Sequence, residues 1–142
     1  MKNICSSLKW ILILSVVTSF TILACNKDND DDGHSEGDTT APVLTLSSPT
    51  DGQDLADGET IHIMGMATDE KALHQYTWSI KDAAGDTVHE GTESIHDQTE
   101  AEIHHMHVIS GVTQATTWTV TVLVEDHGEN SDEKSVTVNV NP

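Results

Sequence analysis

Residues 101–110 read AEIHHMHVIS, so three histidines and a methionine fill the four consecutive positions 104 to 107. Imidazole is mostly neutral near pH 7 and is the commonest transition-metal ligand, while a methionine thioether is a soft donor that favours Cu(I). A second stretch, TIHIMGMAT at residues 60–68, places His62, Met64 and Met66 at every other position. Side chains on a strand alternate between faces, so these three share one face, and Ile61, Ile63, Gly65 and Ala67 share the other. TIHIMGMAT and EIHHMHVI are expected to lie side by side as paired strands. Directly opposed side chains then stand about 5 Å apart at Cβ, within reach of one ion.

Alternation sets His105 and His107 on one face of EIHHMHVI and His104 and Met106 on the other. A His-x-His pair on an open strand face can bite one metal. His105 and His107 are therefore expected to point outward beside His62 and Met64, with His104 tucked beside Met106 in a half-buried layer. His96 in SIHDQ and His89 before Glu90 are expected to add ligands from a loop. The expected metal set is His105, His107, His62, His104, Met64, His96 and His89, for copper or zinc. The competing reading is surface decoration: nearby carboxylates raise imidazole pKa values and make the rings weak counter-charges, and in the opposite register Met64 and Met66 pack the core. His34, His74 and His127 are expected in solvated turns or in the tether.

Asp126-His127-Gly128-Glu129-Asn130 and Asp69-Glu70 are acidic loops of the kind that hold a hard cation, which makes Asp126 and Asp69 candidate calcium ligands. The same residues serve as turn formers, since Asp and Asn bond their own backbone. Asp28-x-Asp30-x-Asp32-Gly33 matches the first half of an EF-hand loop, but Thr39 stands where a bidentate Glu is required and no helix flanks the run. A plain acidic tether is expected there. No Gly-x-Ser-x-Gly elbow, His-Glu-x-x-His pair or phosphate loop occurs, so no catalytic residue is expected and the chain reads as a binding module, not an enzyme.

The elements that must carry these residues begin after a leader. MKNICSSLKWILILSVVTSFTILAC, residues 1–25, has a basic start at Lys2 and Lys9 and an apolar run from Trp10 to Ala24 that is too short for the roughly 20 residues of a spanning helix. It reads as a signal peptide over 1–24. Ile22-Leu23-Ala24-Cys25 resembles the lipobox of bacterial lipoproteins, which implies an acylated Cys25 and an outer-membrane lipid anchor. Cys5 leaves with the leader, so no disulfide is expected. Of 142 residues, 118 remain, one domain by length; the leader removes two of six lysines and no acid, taking the net charge from −18 to −20. Arginine is absent. Such a chain has no basic stripe for phosphates, which argues against nucleic acid and leaves cations as the natural partners of its field.

Residues 25–41, acidic and rich in Gly, Ser and Thr, are expected to form a disordered tether. From Pro42 to Pro142 the pattern changes to short β-type runs cut by Gly, Asp, Asn and Pro: VLTL at 43–46, TIHIMGMAT at 60–68, a strand through Tyr76, Trp78 and Ile80, a short one around Val88, EIHHMHVI, one through Trp118, Val120, Val122 and Val124, and a last through Val136, Val138 and Val140. About seven strands predict an all-β, immunoglobulin-like antiparallel sandwich over 42–142.

PVLTLSSPTDGQDLADGETIHI, ATDEKALHQYTWSIKDAAGD and VLVEDHGENS resemble bacterial immunoglobulin-like and cadherin-like surface domains. With ALHQYTWSIKD, HHMHVIS and the lipobox, residues 41–142 resemble the Bacteroidetes lipoprotein family called domain of unknown function 4625. The acidic run after Cys25 is similar to the export signal of surface lipoproteins in that group. The resemblance implies a lipid-anchored, cell-surface sandwich and no particular activity. Two functions are carried forward. One is metal capture through a His/Met patch, to supply an outer-membrane transporter or other surface protein. The other is a non-catalytic adhesion or spacer module, calcium-stiffened, with a protein or glycan partner.

Overall fold

A computed structural model describes residues 37–142. The expected signal peptide, the expected lipidation site Cys25 and the acidic run 26–36 lie outside the described residues. The described residues form eight strands, the expected runs among them: β1 (Val43–Ser48), β2 (Gln53–Ala56), β3 (Thr60–Thr68), β4 (Leu73–Lys81), β5 (Thr87–Ser94), β6 (Glu100–Val108), β7 (Thr116–Asp126) and β8 (Ser131–Asn141). No helix occurs among the described residues.

The strands make two sheets, β1-β3-β6 and β2-β8-β7-β4-β5. All neighbours are antiparallel except β2, which lies parallel to β8. This is an immunoglobulin-like sandwich with eight strands, one more than the periodicity suggests. The addition is β2, four residues whose only buried side chain is Leu55. The chain reaches it by leaving the small sheet through a turn at Thr50–Gln53, where Gly52 takes a φ of 74°. Asp51 fixes that crossing, because its Oδ1 accepts from Thr137 N (2.9 Å) and Thr137 Oγ1 (2.8 Å) of β8, and those bonds hold its carboxyl below the usual range.

The core lies between the sheets. Ile61, Ile63 and Ile103 from the small sheet face Val120, Val122, Val124, Val138 and Val140 from the large one, all essentially buried. Each such side chain contributes about 1.5–3 kcal/mol relative to exposure. Packed structure also begins earlier than composition suggests, since Asp38, in the expected tether, is 7% exposed. Its backbone carbonyl accepts from Asn130 Nδ2 at 3.3 Å.

Candidate metal centre

The expected pairing of the two histidine-bearing strands is present. β3 and β6 run antiparallel with His62 opposite Met106, Ile63 opposite His105 and Met64 opposite His104. The facing of β6 is the reverse of the expected one. His104 and Met106 are exposed beside His62 and Met64, whereas His105 and His107 share the inward face with buried Ala101 and Ile103. The reason is the apolar content of the two faces: the inward parity carries Ala101, Ile103 and Ile109, while the outward one carries the charge of Glu102.

His105 and His107 therefore fill the gap between two sheet edges, β6 and β5. His105 lies on the indole of Trp78, with ring centroids 3.5 Å apart and planes 13° apart. His107 stacks on His89 of β5 at 5.0 Å. Tyr76 Oη lies 3.0 Å from Glu93 Oε2 and 2.9 Å from His105 Nε2. A phenol has one proton; given to the carboxylate, it leaves His105 Nε2 as donor to the phenol oxygen, and that lone pair is no longer free for a metal. Burial pushes the pKa of His105 down, against the pull of Glu93, and pushes that of His107 down as well, with His89 adding to the effect. Burial and the Glu93 hydrogen bond push Tyr76 up. The shifts of His105 and His107 favour the neutral imidazole, and both rings pack against aromatic neighbours. His89, expected from a loop, belongs to β5 and to this layer.

Three other histidines converge. His74, His96 and His127 each offer a ring nitrogen, and the three nitrogens lie within 4.8 Å of one another. Their ring centroids are 4.6 to 4.9 Å apart, in edge-on or tilted arrangements. Tetrahedral zinc with Zn–N near 2.0–2.1 Å needs nitrogens about 3.4 Å apart, so the set must draw together to hold it. His74 and His127 were expected to be solvated, yet His127 is 8% exposed, His74 is half-buried, and His74 Nδ1 is buried without a hydrogen-bond partner. Only His96 is exposed, which leaves an open side for an ion to enter.

Strand direction explains the convergence. β4 is antiparallel to both β5 and β7, so its start, the end of β5 and the end of β7 meet at one end of the large sheet. His74 is the second residue of β4, His96 follows β5, and His127 follows β7. Backbone bonds hold the three together: Ile95 N donates to His74 O (3.0 Å) and His127 N to Ala72 O (3.4 Å). The loop bearing His127 is closed by Asp126, whose Oδ1 accepts from Asn130 N and whose Oδ2 accepts from Asn130 Nδ2, both at 2.8 Å. A cleft of about 410 Å³ opens here, lined by His74, Gln75, Glu125, Asp126, His127 and Glu129.

Asp69 and Asp126, the calcium candidates, are also brought together, with Asp38 as a third. Much of their bonding is that of turn formers, since Asp69 Oδ1 accepts from Lys71 N (2.8 Å) and Ala72 N (3.0 Å). Lys71 Nζ stands 3.6 Å from Asp38 Oδ1 and offsets part of the charge.

No family model and no curated protein matches the chain. Solved structures do. The periplasmic chaperone SfaE is 10% identical, with a TM-score of 0.50 over 70% of this chain and 57% of its own. Fibronectin(III)-like modules of Clostridium thermocellum CbhA are 16% identical, with a TM-score of 0.45 over 71% and 47%. The sporulation control protein Spo0M of Bacillus subtilis is 11% identical, at 0.45 over 72% and 49%. The chain thus spans about half the length of the structures it matches. At such identities the likeness to the chaperone is one of fold.

Proposed function

We propose that this chain is a non-catalytic, lipid-anchored surface protein whose sandwich binds one divalent transition-metal ion, zinc or copper, through His74, His96 and His127. The convergence of three imidazole nitrogens within 4.8 Å carries the reading. A three-histidine set with a fourth position open to solvent suits both ions, and neutral imidazole is their usual nitrogen donor. The net charge of −20 left after the leader is removed draws cations toward the anchored chain. The leader and Cys25 supply the anchor, the acidic run the export signal, and an outer-membrane transporter or other surface protein is the receiver of the ion. The resemblance to domain of unknown function 4625 supports the same location.

The test is calorimetric titration of the full chain, carrying Cys5→Ser and Cys25→Ser so that thiols do not compete, with Zn(II), Cu(II) and Ca(II). One transition-metal ion should bind, and His96→Ala should weaken it about 100-fold, or ~2.7 kcal/mol, without lowering the thermal midpoint. The His105→Ala/His107→Ala variant should bind as tightly as the parent. Equal binding by the His96→Ala variant would contradict the assignment.

The meeting of Asp38, Asp69 and Asp126 favours a second reading, an adhesion or spacer module stiffened by calcium where the tether enters the domain. Tight Ca(II) binding with no transition-metal heat selects it.

A further inference from the structure

The outward face of β3 and β6 has a composition that folding does not require. Of the four methionines in the chain, Met64, Met66 and Met106 all stand on it, and the fourth is Met1. His62 and His104 share it. Met64 is 42% exposed and Met106 58%. Val43 at 60% and Val108 at 57% are the other exposed large apolar side chains of this sheet, whereas on the large sheet Thr121 Oγ1 and Ser135 Oγ meet at 2.6 Å. A thioether in water gains little from packing, but unlike a valine it carries a soft, polarizable donor sulfur.

Register arranges these donors as a checkerboard. Met64 faces His104 and His62 faces Met106, so each strand supplies one sulfur and one nitrogen, and each cross-strand pair joins the two kinds. Opposed Cβ atoms in such pairs lie roughly 4.5–5.5 Å apart, and the flexible methionine chain spans the rest. Glu102, opposite Met66, adds a negative charge beside them. A shallow cleft of about 330 Å³ lies between Met64, Met66, Glu102 and His104. His62, Met64, His104 and Met106 are all exposed, so this face is open to solvent.

We infer that this face is a Cu(I) site, with Met64, Met106, His62 and His104 as ligands. Soft thioether donors select Cu(I) over zinc, and imidazole completes the set without adding charge. The site shares no residue with the three-histidine cluster, so either can fail without the other. A chain holding both would take an oxidised or zinc-like ion at the loop end and a reduced copper ion on the open strand face.

The experiment is anaerobic competition for Cu(I) against a chromophoric chelator, using the full chain in the Cys5→Ser/Cys25→Ser background, with copper-edge X-ray absorption of the loaded protein. One Cu(I) with sulfur scatterers is expected. Met64→Leu/Met106→Leu keeps the apolar surface and the fold but removes both sulfurs, and should weaken Cu(I) at least 100-fold while leaving Zn(II) affinity and the thermal midpoint unchanged. His96→Ala should leave Cu(I) affinity intact. A nitrogen-only scattering shell, or equal Cu(I) affinity in the leucine variant, overturns the site; the methionines would then be a docking surface for another protein.

Discussion

The imidazole of His105 lies flat on the indole of Trp78, 3.5 Å between ring centroids, and closes the gap that the free edges of β5 and β6 leave between the sheets. The pair does what a further strand does elsewhere in the sandwich. It also makes that side of the domain sensitive to protons, since a charged imidazole there is poorly solvated.

Both His105 and His107 hold their protons less tightly folded than unfolded. As pH falls through roughly 6.5, the unfolded chain takes up protons that the folded chain does not. The stability these groups contribute is therefore full above that pH and is lost as pH falls toward their folded values. Thermal midpoints measured from pH 7.5 to 5 should drop more for the parent than for His105→Gln/His107→Gln. Parallel curves would show that the layer is not buried enough to matter.

Gly91 of β5 lies under Trp78, and a Cβ at that position overlaps the indole ring. The ring cannot swing away without leaving His105. Gly91→Ala should cost about 1–3 kcal/mol, read as a lower denaturation midpoint at unchanged denaturant slope. A neutral result would mean the stack is loose.

The Asn130 side chain ties Asp126 Oδ2 to the Asp38 carbonyl and so shapes the loop that presents His127. Asn130→Ala should lower stability by about 1–2 kcal/mol and weaken Zn(II) binding tenfold or more. Loss of stability with unchanged affinity would separate the loop from the site.

Acylation is checked by metabolic labelling. Palmitate should enter the parent chain and be absent from Cys25→Ser, which should also be released from the membrane fraction. Label retained in the variant would place the anchor elsewhere.

Much of the fold was legible because strands with one buried face alternate, and the runs through Ile61, Val122 and Val138 do so without interruption. The pairing of β3 with β6 was legible too. The facing of β6 is hard to read because both of its parities contain histidine, and the deciding signal is only Glu102 on one face against Ala101, Ile103 and Ile109 on the other. β2 was missed because four residues with one apolar side chain carry no period. The three-histidine cluster was beyond local pattern altogether. His74, His96 and His127 meet only because β4 is antiparallel to two neighbours, which is a fact of sheet order rather than of any one segment.

The central claim is tested most directly by crystals of the protein grown with Zn(II) and measured at the zinc absorption edge. The account predicts an anomalous peak about 2 Å from a ring nitrogen of each of His74, His96 and His127. A peak on other residues, or none at these three with zinc in excess, would contradict it.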